Sequence, residues 1–162
     1  MTAMKHAVTP EDLPSPQEML EQTGLEAMQK MLRGETVGPP IAHLLNYDVT
    51  EVEEGRVVFV GTPLFSMANP MGTVHGGWYG TVLDSCMACA VMTKVPKGST
   101  YTTLEYKINI LRPIPLGMQV EAIGLAQHVG RSTGIANGEI RGVQDGKLYA
   151  TGSTTCIVMK VA

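Results

Sequence analysis

Residues 69–94 read NPMGTVHGGWYGTVLDSCMACAVMTK, and this stretch decides the fold. Beyond the two glycines at positions 76 and 77 it consists largely of apolar and small residues, with Asp84 as its single carboxylate. A helix that is apolar on every side is a buried helix. The segment is too short and too rich in small residues for a membrane span, which needs about 18 or more apolar residues. The stretch therefore predicts a central buried helix that begins at the glycines.

The segments on either side of this helix are rich in β-forming residues and are separated by turns that contain Gly or Pro. The predicted strands are a hairpin before the helix, 41–50 and 56–60, and four strands after it, 101–111, 119–129, 132–142 and 147–159. We expect the last four to form a meander. The sum is an α+β fold, an antiparallel sheet wrapped around a central buried helix.

Residues 1–40 form a predicted N-terminal arm, and 41–162 form the main domain. The sequence Ser15-Pro16-Gln17-Glu18 has the pattern of a capping box with proline at the first helical position. Apolar residues at helical spacing continue to Leu32, and Gly34 suits a helix end. The pattern predicts one extra amphipathic helix, with a Met-rich face that suits the core, a docking surface or a substrate wall.

The composition limits the classes of function. The 162 residues fit one domain, and 12 Lys and Arg against 15 Asp and Glu give a formal charge of −3. No basic stripe is present, so we expect no nucleic-acid partner. Three cysteines do not suggest a disulfide framework, and we expect Cys86 and Cys89 to pack in the core. With neither an apolar leader nor a membrane span, a cytoplasmic protein with no membrane partner is expected.

The glycines at the start of the helix indicate a site that stabilises negative charge. Backbone N–H groups of Gly76 and Gly77 are unshielded by side chains, and the helix dipole adds partial positive charge there. Such groups can stabilise an oxyanion that develops on a carbonyl oxygen. Either glycine is therefore a candidate oxyanion donor.

Asp84 is the second candidate. An isolated carboxylate in an apolar helix needs a partner or a function. A purely structural hydrogen bond to the hydroxyl of Thr81, Ser85 or Tyr106 is about as good an interpretation as a catalytic role. Eight residues of helix separate Gly76 from Asp84, a rise of about 12 Å. If both act on one carbonyl, one of them must come from another subunit, so we expect a two-fold dimer.

The stretch from Asn69 to Asp84 resembles the signature of the PaaI-type acyl-CoA thioesterases of the hot-dog superfamily. That signature is an Asn, a short spacer with Gly, then His-Gly-Gly, then a carboxylate on the helix. The resemblance extends over about 41–159 and leaves residues 1–40 outside. It implies the hot-dog fold and hydrolysis of an acyl-CoA to a free acid and CoA. It also implies that no metal and no cofactor are needed beyond the CoA of the substrate.

The resemblance also implies roles for individual residues. Asp84 is the general base or the nucleophile, and the backbone of Gly76 and Gly77 polarises the thioester carbonyl across a dimer interface. Asn69 positions the carbonyl or the lytic water, and Thr103 helps to hold that water.

Three further residues have open roles. His75 shapes the loop and contacts the substrate, or is a structural histidine bonded to backbone. Arg112 and Arg131, both at turns, are tentative partners for the CoA phosphates, because guanidinium suits phosphate. A solvated turn arginine is the alternative for each.

Other functions and the acyl group stay open at this point. A non-catalytic acyl-CoA-binding module would use the same pocket without Asp84, and a hot-dog dehydratase or hydratase would use His75 with a carboxylate. We expect an aryl or a medium-chain acyl group, in a pocket whose floor comes from the N-terminal helix or from Met67, Met71, Trp78 and Met87. The assembly is a homodimer or a tetramer made of two dimers.

Overall fold

The computed structural model describes residues 5–161, so positions 1–4 of the predicted arm and residue 162 lie outside the described residues. The helices and strands of the described part are α1 Pro16–Leu20, α2 Gly24–Leu32, α3 Pro40–Leu44, β1 Tyr47–Glu53, β2 Arg56–Gly61, α4 Gly76–Met92, β3 Ser99–Ile110, β4 Val120–Val129, β5 Thr133–Gly142 and β6 Leu148–Lys160. Across this range we find no helix with the length and apolarity to cross a membrane.

The strands form one antiparallel sheet in the order β1-β2-β4-β5-β6-β3, and the sheet wraps around α4. Helix α4 begins at Gly76, as predicted, and most of its residues are buried. The sheet approaches it closely: a Cβ at Gly124 of β4 would fall 2.1 Å from the carbonyl oxygen of Cys86. Glycine in a strand interior permits this approach of two backbones. The predicted α+β architecture is confirmed.

The predicted four-strand meander is wrong in the place of one strand. Strands β4, β5 and β6 are consecutive neighbours, but β3 pairs with β6, from Ser99 opposite Lys160 to Ile110 opposite Ala150. The β3–β4 connection is too long for a tight hairpin and contains two prolines. Its Ile114 is buried and donates its N–H to the Tyr79 hydroxyl at 2.8 Å. The connection is thus fixed to α4, and β3 lies at the edge of the sheet.

The prediction of a single N-terminal helix is also wrong, because the arm contains two short helices. The predicted capping box at the start of α1 is present. A second one starts α2: the Thr23 hydroxyl accepts the N–H of Glu26 at 3.2 Å, and the Glu26 carboxylate accepts the N–H of Thr23 at 2.8 Å. A side chain that bonds its own backbone in this way favours a new helix start over continuation.

Contact with the core requires the break between α1 and α2. Gly24 donates its N–H to the carbonyl of Val95 at 3.0 Å, and a Cβ on Gly24 would lie 1.8 Å from the carbonyl oxygen of Met92. The chain therefore turns where it meets the end of α4. Helix α2 then packs on β1 and α4, with Met28 only 1% exposed. The arm is seated on the domain rather than extended from it.

Candidate active site

The N-terminus of α4 presents one free backbone donor. His75 is the N-cap residue, with extended backbone angles of φ −64° and ψ 138°, and its Nδ1 accepts the N–H of Gly77 at 2.8 Å. Within residues 5–161 the N–H of Gly76 has no hydrogen-bond acceptor. Of the two predicted oxyanion donors, Gly76 is therefore the one available to a substrate. For His75, this geometry matches the structural interpretation, a side chain bonded to backbone.

The loop before the helix is shaped by Asn69. Its Oδ1 accepts the N–H of Met71 at 3.0 Å and that of Thr73 at 3.2 Å, and its Nδ2 donates to the Thr73 hydroxyl at 2.8 Å. Gly72 has a φ of 76°, which glycine tolerates without strain. Asn69 thus fixes the turn that leads to the oxyanion donor. Its role at a carbonyl or a water stays a prediction.

Asp84 and Thr103 are brought together by α4 and β3. The Thr103 hydroxyl donates to the Asp84 carboxylate at 3.0 Å, across 19 positions of sequence. Strand β3 has a register shift between Thr103 and Glu105 relative to β6. A β-bulge of this kind re-aims side chains and is common beside active sites. The carboxylate is half-buried and faces the edge strand rather than the interior of the sheet.

Two hydroxyls that could have bonded Asp84 for packing alone have other partners. The Thr81 hydroxyl donates to the carbonyl of Gly77 at 2.9 Å, and the Ser85 hydroxyl pairs with that of Tyr47 at 2.9 Å. The Tyr47–Ser85 pair spans 38 positions, and no sequence motif pointed to it. Asp84 instead accepts the hydrogen bond from Thr103, the residue that the family resemblance assigned to holding the lytic water, and that role stays a prediction.

Burial controls the ionisation of the groups in this region. Desolvation raises the pKa of Asp84, and the hydrogen bond from Thr103 opposes this rise. A carboxylate with a raised pKa is a stronger base than an exposed one. Burial also raises the pKa of the Cys89 thiol to about 12, so this cysteine stays protonated and is a poor nucleophile. Cys86 is fully buried and is part of the core, as predicted.

Strand β3 runs antiparallel to α4 and borders both candidate groups. The Ile110 side chain lies 3.6 Å from where a Cβ of Gly76 would be, whereas Thr103 contacts Asp84. Along the helix, Gly76 and Asp84 lie eight residues apart, which corresponds to a rise of about 12 Å. A single carbonyl cannot contact both groups within one subunit.

The outer edge of β3 exposes apolar side chains beside polar ones and, among the described residues, pairs with no other strand. Leu104, Tyr106 and Ile110 are 60%, 46% and 47% exposed on this edge. Long apolar edge strands are normally covered, because their free backbone groups pair with other strands. We call this unpaired edge, which borders the candidate site, the β3 edge.

The two predicted phosphate ligands lie far apart. Arg112 lies near the start of α4, where its carbonyl accepts the Tyr79 hydroxyl at 3.4 Å. Arg131 lies in the β4–β5 turn near Gly134, which packs on Val91 close to the end of α4. Twelve residues of helix, or about 18 Å, separate these ends. One subunit does not bring the two arginines together, and their role in CoA binding stays a prediction.

A cavity of about 660 Å³ lies between the arm and the face of α4 that follows Asp84. Four methionines line it, together with the Tyr47–Ser85 pair and Cys89. These methionines are Met19, Met28, Met31 and Met92. The volume falls within the range of small-molecule pockets, about 300–1,000 Å³. The N-terminal arm therefore forms one wall of this cavity, and its role as a wall of the substrate pocket stays a prediction.

The other four residues that were candidate pocket walls do not line this cavity. Met71 is 87% exposed on the loop, and Met67 and Met87 are buried in the core. The indole N–H of Trp78 donates to the carbonyl of Leu45 at 2.9 Å. Helix α4 is buried on several faces, so an apolar residue on it can lie far from the substrate side.

Comparisons with known proteins match the part of the chain that contains the candidate site. The thioesterase superfamily matches residues 71–149, which include α4, β3, β4 and β5. A phenylacetic acid degradation-related protein from Ralstonia eutropha JMP134 is 31% identical, covering 80% of this chain and 97% of its own, with a TM-score of 0.72. This chain belongs to the thioesterase superfamily. The hot-dog fold that the resemblance implied is confirmed for this thioesterase-superfamily protein.

Two other relatives are connected with coenzyme A. A hypothetical thioesterase protein from Streptococcus pneumoniae TIGR4, crystallised with coenzyme A, is 25% identical, covers 72% of this chain and 89% of its own, and has a TM-score of 0.64. Acyl-coenzyme A thioesterase 13 from Mus musculus is 26% identical over 87 residues, 54% of this chain. The chain spans 62% and 61% of the length of the curated relatives it matches.

Proposed function

We propose that this protein hydrolyses acyl-CoA thioesters to a free acid and CoA, with Asp84 of one subunit and the N–H of Gly76 of another acting on the same carbonyl. The observation that carries the proposal is the Asp84–Thr103 hydrogen bond beside the β3 edge. A half-buried carboxylate with a raised pKa, held by a hydroxyl at a subunit edge, suits acid–base work on a bound thioester.

The carbonyl oxygen accepts a hydrogen bond from Gly76 at the start of α4. Charge grows on this oxygen as the carbonyl carbon becomes tetrahedral, and the N–H and the helix dipole stabilise it. His75 supports this role, because it occupies the N–H of Gly77 and fixes the first turn of the helix. Asn69 supports it by holding the preceding loop.

Asp84 activates the attacking group. In one route its carboxylate takes a proton from water as the water oxygen bonds to the carbonyl carbon, and the C–S bond then breaks to release CoA thiolate, which is protonated. In the other route the carboxylate attacks directly, CoA leaves, and water hydrolyses the resulting anhydride. Both routes give the same products and need no metal or cofactor.

A dimer is part of the proposal. The β3 edge is 12 residues long, exposes Leu104, Tyr106 and Ile110, and borders both Gly76 and Asp84, so pairing of two such edges would place α4 helices antiparallel across the two-fold axis. A symmetric contact of this kind creates two equivalent sites. The dimer can pair again into a tetramer through another face.

The CoA part of the substrate is supported by the coenzyme A in the Streptococcus pneumoniae relative. Arg112 is the better phosphate candidate, since it lies at the Gly76 end of α4. Dehydration or hydration is less well supported, because Nδ1 of His75 is occupied by the N–H of Gly77.

The test is thiol release from a panel of aryl-acetyl, benzoyl and straight-chain acyl-CoAs by wild type and Asp84→Asn. The variant keeps the size of the side chain and an acceptor for Thr103. We expect release by wild type and a loss of about 10² or more in the variant. Equal rates would remove Asp84 from the chemistry. Binding of acyl-CoA with no turnover by wild type would favour the non-catalytic module.

A further inference from the structure

The position of the cavity beneath the N-terminal arm and the residues that line it indicate what it binds. Asp84 and Thr103 do not line it, but a chain neighbour of each does: Ser85, the residue after Asp84, and Tyr101, two positions before Thr103 on the same face of β3. Further along α4, Cys89 and Met92 continue the wall. Ser85, Cys89 and Met92 form one stripe of the helix. The cavity thus begins beside Ser85, one residue past Asp84, and extends toward the end of α4, away from Gly76.

The direction in which the cavity extends indicates whether it would hold the acyl group or the CoA part of a substrate. From Asp84 to Met92 the helix rises about 12 Å, so a group attached at the reacting carbonyl could extend that far beneath the arm. The arm helices line this direction, so the CoA leaving group would extend from the reacting carbonyl in another direction. The cavity therefore suits the acyl group of the substrate.

The walls indicate an uncharged acyl group. Among the described residues, no Asp, Glu, Lys, Arg or His lines the cavity. The hydroxyls of Tyr47 and Ser85 bond each other at 2.9 Å, and the Cys89 thiol stays protonated. A carboxylate or an ammonium group on the acyl chain would be desolvated there without a partner, which is costly. The four methionines are flexible and fit irregular apolar chains.

The volume of the cavity favours an acyl chain over a single aromatic ring. A cavity of about 150 Å³ is enough to bind benzene. The present cavity, at about 660 Å³, is roughly four times larger. A benzoyl or phenylacetyl group would leave much of it empty, and an empty apolar cavity contributes no binding.

We propose that the N-terminal arm forms the acyl pocket and selects unbranched, uncharged medium- to long-chain acyl groups over small aryl groups. The inference rests on the proposed function for its catalytic readout. Met31 is the residue of the arm that should set the length, because it lines the cavity and is only half-buried, so its replacement perturbs the core little.

The experiment compares Met31→Trp with Leu32→Trp. Leu32 is the next residue of α2, is 37% exposed and does not line the cavity. The kcat/KM of each protein is measured from butanoyl-CoA to hexadecanoyl-CoA and with phenylacetyl-CoA. In wild type, kcat/KM should rise about three- to fourfold per methylene until the pocket is filled. Decanoyl-CoA should exceed phenylacetyl-CoA.

Met31→Trp should lower kcat/KM for decanoyl-CoA about 10-fold or more, and leave butanoyl-CoA within about twofold. Leu32→Trp should reproduce the wild-type profile. A profile led by phenylacetyl-CoA, or equal effects of the two Trp variants, would overturn the inference and leave hydrolysis itself intact.

A binding measurement separates this inference from the proposed function. Asp84→Asn protein is titrated calorimetrically with butyl-CoA and decyl-CoA thioethers, which cannot be hydrolysed. Tighter binding of the decyl compound, lost when Met31→Trp is added, supports the pocket even if wild type releases no thiol. Equal affinity for the two thioethers would overturn the pocket assignment whatever the activity of the wild type.

Discussion

The hydroxyl of Thr103 offers a sharp test of how the site sets the basicity of Asp84. Thr103→Val removes the hydroxyl and keeps the shape of the side chain. The hydrogen bond of 3.0 Å favours the ionised carboxylate, so its loss raises the pKa of Asp84 further. Since the base must be ionised to accept a proton, the acidic limb of the kcat/KM profile moves to higher pH.

The size of the shift follows from the strength of the bond. Hydrogen bonds to charged groups contribute about 1.5–3 kcal/mol, and one pKa unit corresponds to about 1.4 kcal/mol. The upper limit is therefore about two pH units. Asp84 is only half-buried, and water can replace part of the lost bond, so we expect about one unit.

The assay monitors cleavage through the change in absorbance of the thioester itself, because the reaction of thiol-detecting dyes depends on pH. Thr103→Ser keeps the hydroxyl and should keep the wild-type limb. Thr102→Val makes the same change on the neighbouring exposed residue and should also keep it. An unshifted limb in Thr103→Val, or an equal shift in Thr102→Val, would refute the assignment of Thr103 as the residue that tunes Asp84.

Three other predictions concern the donor, the base and the subunit contact. Gly76→Pro removes the proposed oxyanion N–H and should lower kcat by about 10²–10³. The first position of a helix accepts proline, and the preceding residue, His75, is already extended. Gly76→Ala keeps the N–H, so its kcat should stay within about 10-fold of wild type. Asp84→Asn should raise the Tm at neutral pH by about 1–4 °C, because burial disfavours the charged form and stability is lost as pH rises through the raised pKa. Leu104→Lys on the β3 edge should yield monomers with little activity, while Val143→Lys, at a turn and 46% exposed, should not.

Each of these outcomes can fail separately. Equal losses in Gly76→Pro and Gly76→Ala would assign the effect to crowding rather than to the donor. A thermal scan in which Asp84→Asn is less stable at neutral pH would mean that the ionised carboxylate stabilises the fold. Size-exclusion chromatography that finds Leu104→Lys dimeric and active would place the subunit contact elsewhere.

The sequence predicts those parts of the fold that local chemistry decides. The buried helix follows from its lack of charge, and its start follows from the glycines at 76 and 77. The second capping box, Thr23 to Glu26, was also readable, and the expectation of one continuous helix overlooked it. The break itself depends on contact between Gly24 and the end of α4, which only the packed structure shows.

Long-range contacts account for the rest. The sequence shows a lone Asp84 but not the partner from a strand 19 positions later. The pairing of β3 with β6 instead of β4 joins segments about 50 residues apart, and the hydrogen bond between Ile114 and Tyr79 that anchors the β3–β4 connection is also long-range. The apolar cavity arises from residues that are far apart in sequence and have no shared motif. Thr103 was identified through the family resemblance alone.

The central claim is that one carbonyl is served by Asp84 of one subunit and Gly76 of another. Asp84→Asn and Gly76→Pro subunits, each with its own tag, are co-expressed and the mixed dimer is purified through both tags. The mixed dimer contains one intact site and one site that lacks both groups, so it should recover about half of the wild-type kcat while each parent is inactive. A mixed dimer no more active than its parents would show that both groups act within one subunit, and would contradict the account.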